Sequence, residues 1–76
     1  MIEEYIERAG TGAIRFKGLD NAVIGIDHKG RLVYDYFFIC DIFMNELNMN
    51  EEDIVEWVDY NVLGTMAGDG FVIVYR

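Results

Sequence analysis

Seventy-six residues make one domain. With 53% apolar residues, five Phe, five Tyr and one Trp, the chain is too hydrophobic for a disordered tail. Its formal charge of −8 repels nucleic acid and anionic membrane, while a lone cysteine, Cys40, and a lone histidine, His28, exclude an internal disulfide and a single-chain Cys/His zinc site.

The charge is unevenly placed. No Lys or Arg lies between Arg31 and Arg76, whereas Asp35, Asp41, Glu46, Glu51, Glu52, Asp53, Glu56, Asp59 and Asp69 do, so residues 32–75 carry −9. The remaining residues hold five acids against six bases. The opening MIEEYIERAG is acidic and amphipathic, unlike a secretory leader, and no apolar run approaches the ~20 residues of a membrane span. A single cysteine favours a reducing compartment. The expectation is a soluble, cytoplasmic protein without membrane contact.

Residues 2–9 set Ile2, Tyr5, Ile6 and Ala9 at helical spacing, with Glu4 and Arg8 as an i,i+4 pair; Gly10 and Gly12 end this helix. Three strands are expected next. Residues 13–17 alternate, with Ile14 and Phe16 opposite Arg15 and Lys17. A turn at Leu19-Asp20-Asn21 leads to a strand at 22–27 with Ala22, Ile24 and Ile26 on one face. Asp27-His28-Lys29-Gly30 reads as a tight hairpin, Gly30 supplying the positive φ of a type I turn plus bulge. Residues 31–36 return as the third strand.

From Phe37 the apolar period shifts toward 3.6, placing Tyr36, Ile39, Cys40, Phe43 and Leu47 on one stripe. Asn48-Met49-Asn50 breaks that helix, and Asn50 caps the next. Its first turn holds Glu51, Glu52 and Asp53, where the helix dipole favours anions. The second helix is expected to bury Ile54, Val55, Val58 and Val62 and to stop near Gly64. Residues 71–75 (FVIVY) form a last strand whose continuous apolar run predicts cover on both faces or a central position. The predicted class is α+β, in the order α-β-β-β-α-α-β. Its two layers are a three-stranded antiparallel meander, joined by the C-terminal strand, and a covering helical hairpin.

Certain runs carry a likeness: Ala22-Val23-Ile24-Gly25, Gly30-Arg31-Leu32-Val33-Tyr34-Asp35-Tyr36, Glu56-Trp57-Val58-Asp59-Tyr60-Asn61 and Val72-Ile73-Val74-Tyr75. On these, residues 21–75 resemble a family of small acidic proteins of phages, prophages and conjugative elements of Gram-positive bacteria. The Glu-Trp-hydrophobic-Asp-Tyr-Asn run is its specific part. The chain departs from the family's pattern at Val62-Leu63-Gly64-Thr65, where a Thr-hydrophobic-Arg-Ala-Leu-Pro-Tyr segment often follows, and at Phe37 and Phe38, where charge is usual. The resemblance implies a mobile-element origin rather than a mechanism.

Catalytic signatures are lacking. His28 falls in a turn, and Cys40 lies on an apolar helical stripe, the place of a buried structural thiol. Gly10-Thr11-Gly12 and Gly68-Asp69-Gly70 lack the Lys of a phosphate loop. Glu52, Glu56 and Asp59 converge on one helical face, but a cation site would normally recruit loop oxygens as well. That face is either merely solvated or a binding surface. No catalytic residue, metal or cofactor is expected. Tyr60, an exposed aromatic among carboxylates, suits a binding surface. The expected partner contacts are Glu52, Glu56, Asp59 and Tyr60, with Asp41 and Glu46 second. Phe37 and Met44 fall near the polar side of the first long helix, so either that helix is covered on two sides or these residues, with Phe38, form an exposed self-association patch, as in a homodimer. The bases Arg15, Lys17, Lys29 and Arg31 are too sparse for direct nucleic-acid binding.

The expected function is a non-enzymatic, mobile-element-encoded acidic binding protein. Its helical face would occupy a basic surface of a host nucleic-acid-binding effector or nuclease, as an anti-defence, anti-CRISPR-like inhibitor does. The alternative is a self-associating accessory protein whose acids only keep it in solution.

Overall fold

The hairpin forms from local chemistry. Gly30 takes φ +78°, its N–H donates to Asp27 O at 3.0 Å, and the Asp27 N–H donates to Arg31 O at 3.0 Å, closing the expected turn. The computed structural model describes residues 2–66 and 68–76. Its strands are β1 (Val23–Ile26), β2 (Leu32–Asp35) and β3 (Phe71–Val74). Its helices are α1 (Ile2–Arg8), α2 (Tyr36–Leu47) and α3 (Glu51–Asn61), with 3-10 turns at Asp20–Ala22 and Leu63–Thr65.

β1 pairs antiparallel with β2 across an irregularity between Val23 and Gly25. β3 pairs parallel with β2, from Leu32↔Phe71 to Asp35↔Val74, so the order β1-β2-β3 leaves β3 at an edge. The class is α+β with a mixed sheet. The predicted antiparallel meander and the central last strand are therefore corrected. After β2 the chain forms two helices and a 3-10 turn, and β3 then begins beside the start of β2. Such a crossover makes the new strand parallel.

The strand predicted at 13–17 does not form either. A side chain rather than a neighbouring strand meets the middle of that backbone: the Tyr34 phenol donates to Ile14 O at 3.1 Å and accepts from Phe16 N at 3.0 Å. Further bonds run from the Ile14 N–H to Gly70 O at 2.8 Å, from the Ala13 N–H to Gly10 O at 3.0 Å and from the Leu19 N–H to Phe16 O at 3.2 Å. The alternation seen in the sequence survives in the packing. Phe16 meets the rings of Tyr34 and Phe71 edge-on, while Arg15 turns outward to Asp20.

Asp35 starts α2 by accepting the N–H groups of Phe37 (2.8 Å) and Phe38 (3.1 Å) on one carboxylate oxygen. Asn48, at φ 56°, ends the helix in the left-handed conformation. Asn50 Oδ1 then accepts the Asp53 N–H at 2.9 Å and caps α3. α2 lies against β2 and α3, and α1 lies against β1. The core joins Leu32 and Tyr34 of β2 to Ile39 and Cys40 of α2 and to Ile54 and Val58 of α3. Complete burial of such an aliphatic side chain contributes roughly 1.5–3 kcal/mol. Val55 and Leu47, predicted to be inside, are each 41% exposed. In α3 the inward stripe is narrow: Ile54 and Val58 fill it, and Val55 is rotated about 100° away from Ile54. Among the described residues no helix is long and apolar enough to cross a membrane.

Candidate functional site

The bases and acids are sorted between the two layers. Three ion pairs, Arg15–Asp20, Arg31–Asp27 and Arg76–Asp35, each close at 2.6 Å, and all use arginine and acids from outside the helical hairpin. The two lysines, Lys17 and Lys29, are exposed and enter no ion pair among the described residues. Asp20 is held below the usual carboxylate range by the Arg15 hydrogen bond. Burial by itself would raise Asp27 and Asp35. In Asp27 the Arg31 backbone N–H and guanidinium, with the Lys29 N–H, reverse that; in Asp35 the Arg76 guanidinium and the two helix N–H groups do so.

On α2 and α3 the acids lack such partners. Asp41, Glu46, Glu51, Glu52, Asp53 and Glu56 are all exposed and have no ion pair among the described residues. Glu52, Glu56 and Asp59 fall within an arc of about 60° around α3, at 100° per residue. Asp59 differs from the other two, because its Oδ1 accepts a 2.6 Å hydrogen bond from the Tyr36 phenol. Tyr60 is 82% exposed. It shares an open groove with Met49, Asp53, Glu56 and Trp57. Trp57 backs that groove from a half-buried position, its ring 5.1 Å from that of Phe43.

A second groove runs between α2 and α3. Phe37, Cys40, Met44, Ile54 and Val55 line it, with Asp41 and Glu51 among them. The structure thus brings Phe37, Met44 and Asp41 together, and Glu56 together with Tyr60. Glu52 and Glu46 line neither groove. Phe38 stands apart from Phe37 and Met44, with the Arg76 guanidinium 5.5 Å from its ring centroid.

Neither the Cys40 thiol nor the Tyr36 phenol is activated for ionisation. Burial pushes the Cys40 thiol above its ordinary value, and the nearby Asp59 and Asp41 carboxylates push it the same way. Burial first, then the hydrogen bond to the Asp59 carboxylate, push the Tyr36 phenol far up. Among the described residues, no group of three or more His, Cys, Asp or Glu is placed to hold a metal ion.

Sequence reasoning missed the roles of Asp35, Tyr36 and Asp59 in fastening the helices. Asp35 carried one signal, its place just before the shift to helical period. The Tyr36–Asp59 bond spans 23 residues and has no local signature. The misfit of Phe37 and Met44 on the polar flank of α2 was the visible trace of the second groove.

No family model matches this chain, and neither the curated proteins nor the solved structures yield a match.

Proposed function

We propose that this chain is a non-enzymatic binding protein whose α2–α3 layer occupies a basic surface of another protein, of the kind that otherwise takes up nucleic acid. One observation carries the reading: six exposed carboxylates on two adjacent helices form no ion pair among the described residues, while three of the six bases are paired with acids elsewhere. A one-signed field over one layer speeds association with a basic partner and rejects an acidic one. The motif at 56–61 adds a mobile-element origin, and with it an anti-defence role in the bacterial cytoplasm against an effector or nuclease.

The test begins with capture from bacterial lysate at low salt, followed by kinetics on the purified partner. The Glu52→Lys/Glu56→Lys variant should associate about tenfold more slowly, and rising salt should weaken the wild-type complex. Affinity indifferent to both salt and charge reversal overturns the reading.

A second reading is self-association, supported by the exposure of Phe37 (48%) and Phe38 (40%). It predicts a dimer in sedimentation that the Phe37→Ser/Met44→Ser variant abolishes.

A further inference from the structure

We infer that the groove between α2 and α3 receives a basic amphipathic helix, whose apolar anchors lie over Phe37, Met44 and Val55 and whose cations sit beside Asp41 and Glu51. The inference rests on the proposed acidic binding layer, and it names the place on that layer and the form of the partner.

The floor of the groove is already dry. Cys40 and Ile54 are buried, at 5% and 1% exposure, whereas Phe37 and Val55 remain 48% and 41% exposed in the same concavity. Singly exposed apolar residues are ordinary, but several gathered over a buried floor mark a docking surface. Phe37 and Met44 are seven residues apart on α2, about 10 Å along the axis, so the groove accommodates about two helical turns. Anchors at i, i+3 or i+4, and i+7 of an incoming helix match that length.

Charge selects among occupants. Asp41 follows Phe37 by four residues on α2, and Glu51 precedes Val55 by four on α3, so each helix sets a carboxylate one turn from an exposed apolar residue of the groove. Neither carboxylate has an ion-pair partner among the described residues. An uncharged occupant would strip water from both acids without replacing it. A second copy of this chain would bring the same acids against them. The chain's own amphipathic segment, α1, is acidic at Glu3, Glu4 and Glu7 and lies against β1. A helix with an apolar stripe edged by Lys or Arg satisfies every group.

The experiment uses two synthetic helical peptides of identical Leu and Lys content. One carries its Leu residues as a single stripe, and the other disperses them around the helix. Each is titrated into isotopically labelled protein, and backbone amide shifts are followed. The striped peptide should bind about tenfold more tightly, with shifts along 37–44 and 51–55. Phe37→Ser/Val55→Ser should erase that preference while leaving the affinity for the dispersed peptide unchanged; single Val55→Thr should reduce it, which covers a double variant that fails to fold. Equal binding of the two peptides, with shifts around Glu52, Glu56 and Tyr60, overturns the groove and leaves the acidic layer standing. Binding of neither peptide at low salt overturns both. A preference that survives the double variant overturns the groove, and so does a dimer in sedimentation that the variant disperses.

Discussion

The Tyr36 phenol donates a 2.6 Å hydrogen bond to Asp59 Oδ1, tying the first residue of α2 to the last turn of α3. The donor is buried and the acceptor is on an exposed residue, so the fold spends part of its acidic surface on holding its helices together. Tyr36→Phe should cost about 1.5–3 kcal/mol, the range for a hydrogen bond to a charged group. Asp59→Asn, which keeps an acceptor, should cost less. Urea unfolding of the two variants checks the order. Asp59 is accordingly a poorer choice than Glu52 or Glu56 for isolating a binding effect, because its substitution disturbs the hairpin as well.

Asp35 serves two partners, the N-terminus of α2 and Arg76. Asp35→Ala should destabilise the protein by about 1–2 kcal/mol through the lost cap alone. Asp35→Asn, which retains an oxygen for Phe37 and Phe38, should recover much of that. Chemical denaturation separates the two.

Stability should decline in acid. Asp20, Asp27 and Asp35 all have folded pKa values below their ordinary range, so their contribution is present above about pH 4, where the unfolded chain's carboxylates are ionised. It is lost as the pH falls through the lower folded values. Melting temperature measured from pH 5 downward should therefore drop, most steeply below pH 4.

Alkaline conditions act through Cys40 and Tyr36. Burial raises both above their ordinary values, so the stability they contribute is full below about pH 8.5, the unfolded thiol's range, and is lost as pH rises. Melting should begin to fall above that point, first through the thiol and then through the phenol. In the native state Cys40 should react slowly with a thiol reagent, and urea should speed that reaction greatly.

Gly30→Ala should destabilise the hairpin by more than about 1 kcal/mol. The position has φ +78°, and an added Cβ would stand 2.8 Å from the Gly10 nitrogen. Thermal unfolding of the variant measures the loss.

What could be read from the sequence was what short-range chemistry decides. Gly30 announces its turn, Asn50 its cap, and the residues from Phe37 to Leu47 their helix, because each needs only neighbours a few residues away; Tyr36, read as the end of a strand, is the helix's first residue. Residues 13–17 misled because their alternation is real while the hydrogen bonds at their middle come from Tyr34, eighteen to twenty residues on. The apolar run at 71–74 suggested cover on both faces or a central position; the strand lies at an edge, and all four of its residues are half-buried. Its parallel pairing follows from the path of the preceding crossover. For the site, the carboxylate arc on α3 follows from spacing alone. The groove between the helices depends on how α2 and α3 lie side by side, and so only Phe37 and Met44 hinted at it.

That the Arg15–Asp20, Arg31–Asp27 and Arg76–Asp35 pairs all use arginine has a practical consequence. Lys17 and Lys29, the chain's two lysines, are exposed and outside the α2–α3 layer. Amine-directed coupling at these side chains would immobilise the molecule through the hairpin and the 13–17 segment without breaking an ion pair. Tethered in that way, the protein would leave its acidic helices free for whatever is passed over it.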